Sequence, residues 1–162
     1  MANNIYLIGF MGSGKSTIGK ELASHLGLTW VDLDYFIEAN EKMTIKELFE
    51  KYGEAYFRNL ETLSLKKLAM QKNLVVSTGG GVIVTPENII LLKEQKTIYL
   101  KWDFETLFDR IAHDENRPLV KSHQQLLALY ESRQKMYHDA CSKVVLGDGK
   151  SILSIIEEII SK

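Results

Sequence analysis

The chain has 162 residues, 45% of them hydrophobic and 25% charged, with a formal net charge of -1. That length fits one domain, able to bury about 70% of its unfolded surface without disulfide or metal support, and excludes a second full domain. The near-neutral charge excludes a general electrostatic pull toward nucleic acid or an anionic membrane, and the composition excludes a disordered chain.

The first fifteen residues carry a short apolar patch with no basic segment before it, unlike a signal peptide, and no window approaches the roughly 20 apolar residues that cross a bilayer. Ile5 to Gly9 is apolar and β-prone; a glycine-rich turn opens an amphipathic helix over Lys15 to Leu26, stopped by Gly27. Thr29 to Val31 is a short strand ending at Asp32 and Asp34, followed by helical patterns over Tyr35 to Tyr52 and Glu54 to Lys72, broken near Lys42 and Gly53. Leu74 to Ser77 is a strand running into Gly79, Gly80 and Gly81, and Pro86 suits the first turn of a helix reaching Lys93. Thr97 to Trp102 is a further strand, with Asp103 expected to cap the next helix. Residues 113 to 122 are polar and turn-forming, Gln124 to Ala140 is helical, Lys143 to Leu146 is the last strand, and Ser151 caps a terminal helix. Continuous apolar strands alternating with helices predict a parallel sheet covered on both faces, with ligands beyond the carboxyl ends of the strands.

Gly9 to Ser16, GFMGSGKS, satisfies G-x-x-x-x-G-K-[ST] between a strand and a helix. The glycines let successive backbone N–H groups turn onto a phosphate chain, the helix adds its positive end, Lys15 reaches the β and γ phosphates, and Ser16 ligates Mg²⁺. The strand before the glycine triplet ends in Ser77 and Thr78, so the carboxylate for the metal's water shell is expected from VDLD. At period two, Asp32 and Asp34 point the same way: one holds metal water while the other accepts from a substrate hydroxyl, or else Asp34 merely caps the helix. A switch GTPase would need D-x-x-G and N-K-x-D, which are absent.

Of 20 basic residues only Arg58, Arg110, Arg117 and Arg133 are arginines. A chain that uses the planar guanidinium sparingly makes each one a candidate for bidentate anion binding or stacking on a base. Arg117 lies in HDENRPL, a stretch suited to a lid that folds over phosphates and excludes water. Arg58 has Glu61 three residues on, either bracing its guanidinium or forming a solvent-facing pair. The glycine triplet reads as the floor of the acceptor site, where bare backbone approaches a flat hydroxylated ring and the Gly80 N–H donates to it.

Nearly end to end, GFMGSGKST, VDLD, GEAYFR, STGGG and NRPL stand in the order and spacing of shikimate kinases, which the chain resembles. The resemblance implies a three-layer αβα fold with a five-stranded parallel sheet, of the P-loop NTPase and nucleoside monophosphate kinase-like type. One kinase domain would span 1–162, with core 1–33, 73–110 and 141–162, acceptor-binding region 34–72 and a lid over about 112–123. The implied reaction moves the γ-phosphoryl of ATP to the 3-hydroxyl of shikimate, with Mg²⁺, on the route to chorismate and the aromatic amino acids.

By the same resemblance Gly12, Ser13, Gly14, Lys15, Ser16 and Thr17 would hold the ATP phosphates, and Asp32 the water shell of the metal on Ser16. Asp34 would meet the reacting hydroxyl, and Arg58 and Arg133 the acid's carboxylate. Gly79, Gly80 and Gly81 would line the acceptor, Arg117 would reach the phosphates, and Arg110 would lie along the adenine; Lys15, Asp34 and Arg117 would carry catalysis. Two positions depart from the family pattern: Lys135 stands where a proline is common, and the C-terminal stretch 144–152 lacks the proline expected beside the adenine. The rivals are a P-loop kinase of another hydroxy acid such as gluconate, and a nucleotide-binding module without catalysis. A cytoplasmic monomer is expected, without nucleic-acid or membrane partners; the single cysteine, Cys141, reads as core, and the four histidines as solvated or capping groups.

Overall fold

A computed structural model of the chain describes residues 3–114 and 121–161. Its elements run β1 (Ile5–Ile8), α1 (Lys15–Leu26), β2 (Thr29–Asp32), α2 (Leu33–Glu41), α3 (Ile45–Tyr52), α4 (Glu54–Ala69) and β3 (Leu74–Ser77). A single 3₁₀ turn over Val82–Val84 leads to α5 (Pro86–Lys93), β4 (Lys96–Lys101), α6 (Phe104–Ala112), α7 (His123–Ala140), β5 (Lys143–Leu146) and α8 (Ile152–Ile160).

The strands form one parallel sheet in the order β2-β3-β1-β4-β5. The inner strands β1 and β3 are buried at every residue, as continuous apolar runs require, whereas the edge strands β2 and β5 are only partly covered. Helices α1 and α8 lie against each other and the sheet, while α5 and α7 pack together against β4. Register places Leu7 beside Ser77 and Ser77 beside Asp32, so the chain leaves β1, β2 and β3 at one level. From β1 it crosses to the outermost β2, and from β3 it returns past β1 to β4; the crevice at such a reversal is where open sheets bind ligands.

Helix ends follow local chemistry. Gly27 closes α1 in the left-handed region, Lys42 does the same after α2, and Thr44 caps α3 by accepting from the Glu47 N–H. Ser122 and Gln125 form a reciprocal capping box on α7, and Ser151 caps α8 as expected. Asp103 stands at the N-cap of α6, but its side chain makes no capping bond. The carboxylate there comes instead from Asp148, after β5, which accepts from the Asp103 N–H at 2.7 Å and from Thr106 Oγ1 at 2.9 Å.

Gly19, in the middle of α1, lets this helix sit against the sheet. A β-carbon there would lie 2.8 Å from Trp30 Nε1 and closer still to Ser77 Oγ, two groups already bonded to each other. Gly19→Ala is expected to lower stability by about 1–3 kcal/mol through overpacking. In a thermal melt this appears as a fall in Tm of about 2–4 °C per kcal/mol. A raised Tm, as alanine's better helix propensity alone would give, contradicts that packing.

Candidate active site

The loop between β1 and α1 turns through Gly12 and Gly14, both at φ 82, a left-handed conformation that glycine adopts without strain. The first turn of α1 carries no acidic side chain, leaving its positive end open to an anion. The Lys15 ammonium lies over the loop, donating to Gly9 O at 2.6 Å, Phe10 O at 3.1 Å and Ser13 Oγ at 3.3 Å. Ser16 Oγ donates to Asp32 Oδ2 at 3.1 Å, while Asp32 Oδ1 caps α2 by accepting from the Tyr35 N–H at 3.0 Å. Ser77 and Thr78 serve structure: Ser77 Oγ donates to Lys15 O at 2.6 Å, and Thr78 Oγ1 to Leu7 O at 2.8 Å.

These groups border a cleft of about 420 Å³ that also takes in Asp34, Gly79 and Gly80. Asp34 arrives there by a different route from the expected one. The strand stops at Asp32, and Asp34 stands in the first turn of α2, so helical geometry rather than strand alternation brings the two carboxylates to one cleft. Asp32, not Asp34, is the cap. Burial and then the Asp32 charge raise the Asp34 pKa above the ordinary carboxylate value, opposed by Lys15 and Arg58.

Arg58, on α4, donates through Nη1 to Glu61 at 3.1 Å and to Gly81 O at 3.0 Å, and through Nη2 to Glu54 at 3.3 Å. Glu61 is 1% exposed, so it braces the guanidinium from inside rather than pairing in solvent. Two of the three consecutive glycines are explained by the protein's own side chains. A β-carbon on Gly79 would stand 3.0 Å from Asp34 Oδ1, and one on Gly81 would stand 2.6 Å from Arg58 Nη2. At Gly80 the nearest atom would be the Met11 N at 3.4 Å, so the protein leaves that position room. Arg133 reaches the same floor from α7, with Nη1 at 3.5 Å from Gly80 O.

Gly80 O also accepts from Tyr137 Oη at 2.5 Å. Tyr137 is fully buried, stacks on Tyr99 with ring centroids 4.9 Å apart, and is held as a phenol donor because burial pushes its pKa well up. Sequence reading did not single it out, although its place four residues after Arg133 puts both on one face of a helix. Arg110 sits beside the phosphate loop, its Nη1 donating to Gly12 O at 3.0 Å. Arg117 lies outside the described residues, as do residues 115–120 of the expected lid.

Burial pushes the Glu61 carboxyl up to about 7 from an ordinary 4.5, although Arg58 pulls it down. Between those values the folded chain keeps a proton that the unfolded chain has released, so this group favours folding at low pH, and its contribution is lost as pH rises through about 7. The stability of the unaltered chain relative to Glu61→Gln, from urea titrations, is therefore expected to fall between about pH 4.5 and 7. A difference independent of pH contradicts a buried, proton-holding Glu61.

The family model for shikimate kinase matches residues 11–162. The shikimate kinase of Persephonella marina is 45% identical over 161 residues, covering 98% of each chain. Shikimate kinase from Acinetobacter baumannii, solved in complex with shikimate, superposes with a TM-score of 0.89 at 35% identity, over 99% of this chain and 92% of that one. A gluconokinase from Sinorhizobium meliloti 1021 shares the fold alone, with a TM-score of 0.61 at 18% identity over 98% of this chain and 89% of that one. With most of its length matched at such identity, the chain belongs to the shikimate kinase family.

Proposed function

We propose that this chain transfers the γ-phosphoryl group of ATP to the 3-hydroxyl of shikimate. The observation that carries this reading is one cleft with a phosphate loop and Lys15 on one side, and Asp34 against bare glycine backbone on the other, beside Arg58 and Arg133. The arginines suit a carboxylate, the glycine floor suits a flat ring, and Asp34 suits a hydroxyl.

In the reaction the acceptor oxygen forms a bond to the γ-phosphorus as the bond to the β–γ bridging oxygen breaks, and ADP leaves with that electron pair. The transition state is loose, so positioning and charge neutralisation outweigh proton abstraction. Lys15 neutralises charge on the β and γ phosphates, and the N–H groups at the start of α1 hold them in line. Asp34 accepts the hydroxyl hydrogen and orients the attacking oxygen; its raised pKa suits it to take the proton as the bond forms. Arg58 and Arg133 grip the carboxylate, fixing which hydroxyl faces the phosphate.

Hard oxygen donors suit Mg²⁺: Ser16 would ligate the ion and Asp32, whose Oδ2 lies 3.1 Å from Ser16 Oγ in the same cleft, would hold its water shell. When bound, the ion neutralises charge on the phosphate oxygens. Arg117 is assigned to the phosphates by its place in NRPL alone. We further read the chain as a cytoplasmic monomer; the single cysteine suits a reducing compartment, and among the described residues no helix is long and apolar enough to cross a membrane.

ADP release with Mg-ATP against a panel of hydroxy acids is expected to rise with shikimate and to stay at the water background with gluconate. Asp34→Asn is expected to lower kcat by about a hundredfold or more while ATP still binds. No ADP above background with shikimate contradicts the reaction, and near-normal turnover in Asp34→Asn contradicts the role of Asp34.

A further inference from the structure

Peptide groups are planar and trans, so a loop that turns an N–H inward turns the carbonyl of that peptide outward, where it needs a donor. In the phosphate loop, Lys15 Nζ serves Gly9 O and Phe10 O, and Arg110 Nη1 serves Gly12 O. Ser13 O receives the indole N–H of Trp102 at 2.8 Å, from just beyond β4. Ser13 is fully buried, so no water can replace that donor.

The indole is fixed on several sides. The Arg110 guanidinium lies 3.9 Å from the ring centroid, and the Trp102 carbonyl accepts from Tyr130 Oη at 2.7 Å. The loop after β5 lies so close that a β-carbon on Gly147 would stand 2.6 Å from Trp102 Cδ2. Trp102 and Arg110 border, with Gly12, Thr17 and Lys150, a cavity of about 340 Å³ beside the phosphate loop.

We propose that Trp102 is a positioning residue for the nucleotide phosphates. Its N–H holds the Ser13 carbonyl outward and thereby turns the Gly14 N–H of the same peptide into the cleft, while its ring seats Arg110 on the Gly12 carbonyl. The sequence motif assigns no partner to these two carbonyls.

The inference rests on the ATP reading, which ADP release by the unaltered chain tests separately. Trp102→Phe keeps an aromatic ring and removes the N–H. In this variant KM for ATP and the inhibition constant of Mg-tripolyphosphate, which has the phosphates without a base, are both expected to rise about five- to tenfold, with KM for shikimate unchanged. Unchanged tripolyphosphate inhibition would mean that the ring only walls the base, and a parallel rise in both KM values would mean general damage; either overturns the proposal. If the variant does not fold, or tripolyphosphate inhibits too weakly to compare, the indole ¹⁵N–¹H resonance of Trp102 in the unaltered chain serves instead, identified as the one that survives in Trp30→Phe. It is expected to shift when tripolyphosphate is added, and a stationary resonance overturns the proposal.

Discussion

Gly79 and Gly81 lack a β-carbon, and the Asp34 carboxylate and Arg58 guanidinium occupy the space that one would take. The site depends on that close approach. Arg58 can donate to Gly81 O only because the backbone comes within hydrogen-bonding reach, and the same guanidinium is then gripped by Glu61 and Glu54. Each glycine costs about 0.5–1 kcal/mol in chain entropy relative to alanine, and the triplet is retained where that freedom from a side chain positions two charged groups.

Charge is arranged by the same crowding. Glu61 sits beneath Arg58 in a place that disfavours its ionised form, and Asp34 is lifted by burial and by Asp32. Glu61 braces the guanidinium from below while the exposed Glu54 carboxylate holds its Nε and Nη2, the edge that an incoming acid would have to take over, and bidentate geometry is what a guanidinium offers over an ammonium. Lys15 meanwhile lies across carbonyl oxygens of its own loop, a cation stored where phosphates would draw it out. On the proposed reading, Lys15 in the cleft and Arg58 beside it serve separate anions, with Asp34 against Gly79.

Much of this was legible in the residues. The phosphate loop is local: spacing alone sets the strand, the turn and the helix that follow one another. Strands buried on both faces announce themselves as apolar runs, so β1, β3 and β4 were readable, and the breaks at Lys42 and Gly53 coincide with helix ends. What the pattern could not carry was tertiary. Asp34 obeys either a strand or a helix period across four residues, and which one wins depends on where Asp32 finds the N–H that it caps. Glu61 could face solvent or core until α4 was set against the glycine floor. Asp148 replaces Asp103 as the acceptor at α6 from 45 positions away, and Trp102 meets Ser13 across 89, separations at which neither composition nor periodicity speaks.

The central claim is that the bare backbone at Gly81 seats Arg58 for the acid's carboxylate. Calorimetric titration of Gly81→Ala with shikimate, in the absence of nucleotide, tests it most directly, because the added β-carbon would fall 2.6 Å from Arg58 Nη2 and push the guanidinium out of place. A displaced bidentate arginine predicts an affinity about tenfold weaker than that of the unaltered chain, with ATP affinity retained. Shikimate bound as tightly by the variant as by the unaltered chain would contradict it.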